Sequence, residues 1–337
     1  MECFSYLCTR KGDVATAISL RKYNMEKKTD FDWTVVLAPF NEELPAQKRT
    51  EMAIELSELT LRIATHIICH TIVEHEELFK EERTAIAHAF LQRETSTHLC
   101  NHKLTTEGLA YKYKEQVIQL HEEYKTMTLT RSAYEHLAMF YFLYKHPRTV
   151  VEREVVWKYW QINSKKNLLD FRADGDDTTS EEQERAQQEI QQLRTEILNF
   201  HLNRACLKKL DEWTKPESRA VNGSVEFYNH EGWRDVRRVP FSQAWKYLYS
   251  SEDMTLLYRH LSMHSHPVYD GLVQYLSQST EDQGEDAIPL HLSSSFLAYM
   301  CKLFLQLIPH GEEIIRRDFS AHELAVFHAL SQLQSPQ

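Results

Sequence analysis

The sequence is poor in the residues that make tight turns. Glycine accounts for 8 of its 337 residues and proline for 9, or about 2.4% and about 2.7% against usual shares of roughly 7% and 5%. Because tight hairpins and phosphate-binding loops depend on glycine, this scarcity argues against β-sandwiches, Rossmann folds and P-loop enzymes. Hydrophobic residues make up 42% of the chain, enough for a core, which excludes wholesale disorder. The composition therefore predicts a mostly helical, all-α protein.

The chain also lacks an excess of positive charge. It carries 39 Lys and Arg against 49 Asp and Glu, a net charge of −10 at pH 7. Non-specific nucleic-acid binding arises from Lys and Arg that neutralise phosphates, so the protein as a whole is not built to coat nucleic acid. A small basic groove remains compatible with this charge.

Paired cysteines and long apolar runs are missing as well. The six cysteines form no C-x-x-C pair and have irregular spacings: Cys3, Cys8, Cys69, Cys100, Cys206 and Cys301. No run of 18 apolar residues occurs, and the N-terminus has no cleavable apolar core. These features predict reduced thiols, no membrane span, no signal peptide and a cytoplasmic location.

Apolar residues recur at helical spacing along most of the chain. The pattern predicts helices near residues 48–79, 82–90, 106–124, 130–145, 149–170, 180–213, 241–265, 267–280 and 291–334. Residues 31–37 are compatible with a short strand or a loop. Residues 216–240 form the one plainly non-helical insert, and Val221-Asn222-Gly223-Ser224 predicts the turn of a small hairpin there.

One ten-residue segment is dense in chemically active side chains. Between Tyr258 and Pro267 the sequence holds three histidines, an arginine, two serines and a tyrosine. An arginine binds a phosphate through its fork of donors, and a histidine transfers protons near neutral pH. Together they suffice to cleave RNA without a metal, since the 2′-hydroxyl of RNA is itself the nucleophile. The alternative is a helix end whose histidines cap carbonyls or lie on the surface.

Spacing alone does not single out this segment. Chance predicts about one Arg-x-x-x-x-His pair for 20 arginines and 18 histidines, and the chain has five: Arg83/His88, Arg93/His98, Arg131/His136, Arg259/His264 and Arg317/His322. Residues five apart point about 140° apart on a straight helix, whereas residues seven apart, such as Arg259 and His266, lie within about 20°. Pro267 biases His266 away from helical geometry.

A second motif lies in the helix predicted for residues 130–145. Arg131 and Glu135 are four positions apart and share a helix face. The residues that follow, 137–143, are strongly apolar, so this charged pair needs partners. The pair is either a structural clamp or the floor of a polar pocket.

Together the two segments resemble a known family. An R-x-x-x-E helix is followed by an apolar run and a proline, and more than a hundred residues later comes a Y-x-x-L-S-x-x-x-H-P pattern. The matching residues are Arg131, Glu135, Pro147, Tyr258, Leu261, Ser262, His266 and Pro267. This combination resembles a family of uncharacterised bacterial all-helical proteins, which in turn looks like a relative of the HEPN superfamily (higher eukaryotes and prokaryotes nucleotide-binding).

The resemblance implies a fold and an activity. HEPN proteins are helical bundles, often dimeric, and many are metal-independent ribonucleases. Their motif is an arginine, usually a polar residue next, and a histidine after four to six intervening positions; Arg259-His260 followed by His264 or His266 has this form. The resemblance covers roughly residues 126–325, interrupted by an insertion at 173–240. The resemblance implies an HEPN-like bundle at 126–337, and the apolar pattern predicts a separate N-terminal helical region at 1–125.

The leading hypothesis is therefore a metal-independent endoribonuclease or RNA-directed effector of a bacterial defence or toxin-like system, with no cofactor. Arg259 would bind the scissile phosphate, and His264 or His266 would act as general acid or base. Glu135 would orient Arg131 or a histidine. The substrate would also be contacted by Arg131, Tyr258, Ser262 and His260. A homodimer would place two motifs at one cleft, and a protein partner or activator is compatible with this role.

Two alternatives belong to other classes. In the first, the chain is a non-catalytic helical interaction module and these residues form a buried polar network. In the second it is a metal enzyme, because His66, His70 and Glu74 form a stripe at i, i+4 and i+8 that can offer metal ligands. A partner helix would have to complete that site. A further basic cluster, Arg234, Arg237 and Arg238, is either a contact for RNA or a partner, or a solvated loop.

Overall fold

A computed structural model describes residues 34–41, 43–113, 116–120, 123–173, 180–221, 223–230, 233–248, 258–259, 261–262 and 287–332. These residues are predominantly helical, which confirms the all-α prediction. The chain divides into two compact units: Met1–Leu137 with Tyr249–Gln337, and Ala138–Leu248. The first unit is therefore discontinuous in sequence. The boundary expected near residue 125 stays a prediction, and residue 125 itself lies inside a helix.

The first unit contains most of the helices. They are α1 (Thr34–Leu37), a 3-10 turn (Ala38–Phe40), α2 (Ala46–Glu74), a 3-10 turn (Glu76–Lys80), α3 (Glu82–Glu107) and the first part of α4 (Glu123–Phe140). Between α3 and α4 lies an antiparallel hairpin of β1 (Leu109–Tyr113) and β2 (Gln116–Leu120). The chain leaves the first unit after Leu137 and returns to it at Tyr249. Tyr258, Arg259, Leu261 and Ser262 have helical backbone.

Three further helices of the first unit lie in the described residues after position 286. They are α9 (Ala287–Leu305), α10 (Gly311–Arg316) and α11 (Ala321–Gln332), numbered in chain order after the four helices of the second unit. Helix α9 packs against α2, α3 and α11. It is the one helix of the described residues that is long and apolar enough to cross a membrane, and 83% of its apolar window is buried inside the protein. That burial is typical of a core helix.

The second unit pairs helices with one hairpin. The end of α4 continues as a π-helical turn (Tyr141–Lys145), followed by α5 (Val150–Ala173), α6 (Ser180–Leu198), α7 (Arg204–Thr214), strands β3 (Gly223–His230) and β4 (Trp233–Pro240), and α8 (Phe241–Leu248). Its core includes Val155, Trp157, Tyr159 and Ile162 from α5.

A hairpin does lie within residues 216–240, but its turn is not the predicted Val221-Asn222-Gly223-Ser224, because β3 begins at Gly223 and the two strands are joined between His230 and Trp233. Strands β3 and β4 are antiparallel, with Gly223 opposite Pro240 and Glu226 opposite Arg237. Gly223 has φ +147, and a Cβ there would lie 2.2 Å from the carbonyl oxygen of Val239. Only glycine tolerates this close approach of the two strands.

Several predicted elements differ from the structure, each for a local reason. Residues 106–124 are not one helix: α3 ends at Glu107 because Gly108 takes φ 69, and the β1–β2 hairpin follows. The predicted helix 180–213 is two helices, since Asn203 caps α7 by accepting a hydrogen bond from the Ala205 N–H at 2.8 Å.

The helix predicted for residues 291–334 is three helices in the structure. Helix α3 extends well past residue 90, and Thr34–Leu37 is helical rather than a strand or loop. The prediction for 267–280 lies outside the described residues.

Candidate functional site

Three predicted site residues meet in the first unit. Arg131 and Glu135 lie one turn apart on α4, and the Nε of Arg131 donates to Oε1 of Glu135 at 3.0 Å. The hydroxyl of Tyr258 donates to the same oxygen at 3.2 Å. The guanidinium carbon of Arg131 lies 5.5 Å from the centre of the Tyr258 ring, within the range of a cation–π contact. The structure thus joins the two motifs that the sequence analysis singled out.

Tyr258 is held as a neutral hydrogen-bond donor. Its ring lies 5.3 Å from that of Tyr134, which is itself buried. Burial, and then the nearby Glu135 carboxylate, raise the pKa of Tyr258. The phenol therefore keeps its proton at neutral pH and serves as a fixed support for Glu135.

Arg259 points to solvent beside this anchor. Tyr258 is half-buried, Leu261 is buried and Arg259 is exposed. The hydroxyl of Ser262 donates to the carbonyl oxygen of Tyr258 at 2.7 Å, so it stabilises its own helical turn. His260, His264 and His266 lie outside the described residues.

The structure explains three of the five Arg-x-x-x-x-His pairs by core packing. His88 is buried, with its ring 4.8 Å from that of Phe79. His98 is fully buried and lies 3.0 Å from the Ser57 hydroxyl and 2.8 Å from that of Ser293. Nδ1 of His136 lies 3.0 Å from Oε2 of Glu94. These histidines hold helices together, and none of the three is an exposed partner for an arginine.

The fourth described pair lies on the surface. Arg317 is paired with Glu313 at 3.7 Å, and His322 is exposed. This pair has the same spacing as Arg259/His264, which makes it a natural control for that pair.

No pattern in the sequence predicts the buried pair of Glu94 and His136. Glu94 is fully buried, and its Oε1 has no hydrogen-bond partner within the described residues. Burial raises the pKa of Glu94 more than His136 lowers it. The two residues are 42 positions apart, so no local spacing indicates the contact.

The predicted metal stripe does not assemble a site in the described part of the chain. Nε2 of His66 lies 3.0 Å from the carbonyl oxygen of Ile314 and 3.3 Å from Oδ2 of Asp318. Nε2 of His70 lies 3.2 Å from Oε2 of Glu74. Among the residues the structure describes, no group of three or more His, Cys, Asp or Glu could hold a metal ion. The stripe consists of separate histidine–acceptor pairs.

Two of the three clustered arginines are committed to contacts within the protein. Nε of Arg237 donates to Glu226 at 2.6 Å. Nε of Arg238 donates to the Tyr159 hydroxyl at 3.0 Å, and its guanidinium lies 5.0 Å from the Trp213 ring. The side chain of Arg234 lies outside the described residues. Arg237 and Arg238 therefore lie on strand β4 and bond within the protein, and not in a solvated loop.

Comparison with known proteins identifies a family. The model of DUF5677, a family of unknown function, matches residues 117–285, which is half of the chain. No curated protein and no solved structure matches. The matched region holds α4 with Arg131 and Glu135, all of the second unit, and the segment around Tyr258 and Arg259. The chain therefore belongs to DUF5677, a family of unknown function.

Proposed function

We propose that this protein binds RNA and cleaves it without a metal ion, in the manner of an HEPN ribonuclease. The observation that carries the proposal is the exposed Arg259 next to Tyr258, which is anchored on the Arg131–Glu135 pair. An arginine on a rigid support is placed to bind a phosphate at low entropic cost. The resemblance of the two motifs to HEPN proteins supplies the substrate class.

The residues take distinct roles in this proposal. Arg259 binds the scissile phosphate and stabilises the charge that develops on it. His264 or His266 transfers the proton of the 2′-hydroxyl or of the leaving group. Glu135 and Tyr258 are positioning residues, because their polar atoms bond to each other. Arg131 is engaged by Glu135 and by the Tyr258 ring, so we assign it a positioning role instead of the substrate contact expected from sequence.

The biological setting follows from the same proposal. We place the protein in the cytoplasm as a homodimer, in a bacterial defence or toxin-like role in which a partner or trigger controls RNA cleavage. A dimer would bring two Arg259 segments to one cleft, as the resemblance to HEPN proteins implies.

A non-catalytic interaction module is the second candidate. Its support is that the polar atoms of Glu135 and Ser262 bond within the protein. Such internal bonding is typical of a structural network. In this alternative the wild-type protein does not cleave RNA, so the Arg259→Ala variant behaves like the wild type in a cleavage assay.

The test is RNA cleavage by the purified full chain in excess EDTA. We compare the wild-type protein with Arg259→Ala, His264→Ala and His266→Ala variants. Arg317→Ala and His322→Ala, which alter an exposed pair of identical spacing, are the matched controls. Loss of a phosphate-binding arginine or of the general acid–base should lower the rate about 100-fold or more, and the controls should stay within about twofold.

Three results would contradict the proposal. The first is cleavage that persists in Arg259→Ala, and the second is cleavage that EDTA abolishes. The third is a wild-type protein that neither cleaves RNA nor binds it in an Arg259-dependent way in a filter-binding assay, which favours the interaction module. Circular dichroism of each variant establishes that it is folded.

A further inference from the structure

The chain passes between the two units at two points. The first crossing lies inside α4, directly after Leu137, and the second follows α8, directly after Leu248. The second unit is therefore an insertion in the first, and both of its ends lead back into the first unit. We call these two ends, residues 138–146 and 241–248, the neck of the second unit.

The neck contains two short elements that need support from side chains. Helix α4 ends at Phe140, and Tyr141–Lys145 continue it as a π-helical turn, in which the His146 N–H donates to the Tyr141 carbonyl oxygen at 2.9 Å. Such turns are rare and recur at functional sites. Helix α8 has only 8 residues, and isolated helices shorter than about 12 residues are marginal in water. The order of both elements therefore depends on what they contact.

A buried carboxylate joins the two ends of the neck. Oε2 of Glu226, on β3, accepts hydrogen bonds from the Tyr247 hydroxyl of α8 at 2.5 Å and from Nε of Arg237 at 2.6 Å. Its Oε1 lies 3.6 Å from Nε2 of His146, at the end of the π-helical turn. A second nitrogen of Arg237 donates to the Tyr247 hydroxyl at 2.7 Å. Both ends of the neck thus meet at one carboxylate, which is only 10% exposed.

The bond from Tyr247 to Glu226 joins a neutral donor to a charged acceptor. Burial acts to raise the pKa of Glu226, but hydrogen bonds from His146, Tyr247 and Arg237 lower it to about 2. Burial, and then the hydrogen bond to Glu226, raise the pKa of Tyr247 to about 12. At neutral pH the carboxylate is therefore ionised and the phenol keeps its proton. A hydrogen bond of this kind is stronger than one between two neutral groups.

Three rings also pack together across the neck. The ring centre of Tyr247 lies 5.1 Å from that of Phe142 and 5.2 Å from that of His146, and the centres of Phe142 and His146 are 5.1 Å apart. These distances are typical of favourable aromatic contacts. Since Phe142 and Tyr247 lie near opposite ends of the sequence of the second unit, their contact closes that unit at its neck.

The first unit uses the same three residue types after the second crossing. Tyr258 donates to Glu135, which also accepts a hydrogen bond from Arg131. A cluster of tyrosine, glutamate and arginine thus lies on each side of this crossing, one in each unit. Residues 249–257 lie outside the described residues. The second crossing is therefore anchored separately within each unit.

We propose that the neck is a hinge, in which the π-helical turn and α8 open and close as one cooperative segment and the Tyr247–Glu226 bond keeps them closed. Opening frees both crossings at once, while α5, α6, α7 and the β3–β4 hairpin stay folded. Such a segment opens at a lower free-energy cost than the whole protein, and it then lets the second unit move as a body. The hinge shares no residue with Arg259 and does not depend on the proposed RNA cleavage.

The first experiment is hydrogen–deuterium exchange of the full chain, read by peptide mass spectrometry. Tyr247→Phe removes the hydroxyl and keeps the ring, so it separates the hydrogen bond from the aromatic packing. Tyr228→Phe is the matched control, because Tyr228 also lies in the second unit and donates to a carboxylate, that of Asp235 at 3.0 Å, but is not part of the neck. Arg237→Lys is a milder variant at a side chain that is 56% exposed, and it keeps the positive charge.

Tyr247→Phe should raise the exchange rates of α8 and of residues 141–146 together, by about tenfold, because a hydrogen bond to a charged group is lost. Arg237→Lys should act in the same direction with a smaller effect. Tyr228→Phe should leave the rates of the neck within about twofold of the wild type. Exchange in α2 and α5 should stay at the wild-type rate in all three variants.

The second experiment measures movement of the units by pulsed electron paramagnetic resonance. One spin label is placed on Cys69, which is exposed in the first unit, and the other on Arg185→Cys, at an exposed position of α6. The remaining cysteines that are not buried in the described residues are replaced by serine: Cys3→Ser, Cys8→Ser and Cys100→Ser. Tyr247→Phe should broaden the distribution of distances between the labels, and Tyr228→Phe should leave it as in the wild type.

The proposal is overturned if α8 and the π-helical turn respond separately, because they are then not one segment. It is also overturned if Tyr247→Phe and Arg237→Lys both exchange like the wild type. A distance distribution that stays unchanged while exchange at the neck rises shows that the neck is not a hinge. If circular dichroism shows that Tyr247→Phe is unfolded, Arg237→Lys decides between these outcomes.

Discussion

The Tyr258 hydroxyl donates to Glu135 across 123 positions of sequence, at 3.2 Å. This single contact joins the R-x-x-x-E motif of α4 to the segment that carries Arg259. Since Tyr258 and Leu261 are turned inward while Arg259 is exposed, the contact sets the direction in which the arginine points.

We first predict that Tyr258 and Glu135 are energetically coupled. The Tyr258→Phe and Glu135→Gln variants should each lower the free energy of unfolding by about 1 kcal/mol, because each weakens a half-buried hydrogen bond to a charged group. The double variant should lose less than the sum of the two, with a coupling energy of ~1 kcal/mol in a double-mutant cycle. Urea unfolding measures all four proteins, and strict additivity would show that the contact contributes nothing.

The second prediction concerns acid stability. Burial, together with neighbouring His102, lowers the pKa of His98 to about 3, and burial alone lowers that of His291 to about 3. In the unfolded chain both titrate near 6.5. Between these values the unfolded state binds more protons, so the free energy of unfolding should fall as the pH drops from about 6.5 towards 3.

A His291→Leu variant isolates this effect. Neither ring nitrogen of His291 has a hydrogen-bond partner within the described residues, so the replacement removes no bond found there. Its unfolding free energy should depend less steeply on pH than that of the wild type, measured by urea unfolding at pH 7, 5 and 4. His322→Leu, at an exposed position, should keep the wild-type slope. Equal slopes for all three proteins would contradict the prediction.

The third prediction concerns the charge of Glu94. Burial raises the pKa of this carboxyl, and one of its oxygens lacks a partner within the described residues. Glu94→Gln removes the charge and keeps a polar partner for His136, so at pH 8 it should leave the protein as stable or make it more stable. Glu94→Ala leaves a cavity and an unpaired His136, and should cost about 2 kcal/mol or more. If Gln costs as much as Ala in urea unfolding, the charge itself is required.

Thiol reactivity supplies the fourth prediction. Cys69 and Cys100 are exposed, whereas Cys206 and Cys301 are buried. Burial, and then the nearby Glu94, raise the pKa of Cys301. Its side chain therefore stays a protonated thiol, which reacts slowly. Iodoacetamide should label Cys69 and Cys100 in the native protein, and Cys206 and Cys301 only after unfolding, as peptide mass spectrometry would show. Rapid native labelling of Cys301 would contradict the burial of α9.

Local sequence patterns predicted the helical class and part of the site. The scarcity of glycine and proline indicated helices. A hairpin was also expected within residues 216–240, but the turn predicted at residues 221–224 is wrong, because β3 itself begins at Gly223. The spacing of Arg131 and Glu135 predicted their contact, because a helix turn fixes it. The β1–β2 hairpin was missed because its connecting residues, Lys114 and Glu115, carry no turn signature.

Local sequence patterns did not predict the contacts between residues that are far apart in the chain. Glu94 meets His136 and Glu226 meets His146 only because separate elements pack together. Their spacing carries no period, so pattern analysis cannot indicate them. Spacing also does not predict burial. His98 and His322 each follow an arginine by five positions, but His98 lies in the core and His322 lies on the surface.

The discontinuity of the first unit has a consequence for synthesis of the protein. Helices α2 and α3 leave the ribosome long before α9, the buried helix against which they pack. At roughly 5–20 residues per second, the ribosome takes on the order of 8–30 s to add the chain between Leu137 and Ala287. During that time the apolar faces of α2 and α3 lack their partner, while all residues of the second unit are added before α9 begins. The second unit is thus able to fold before the first unit is complete.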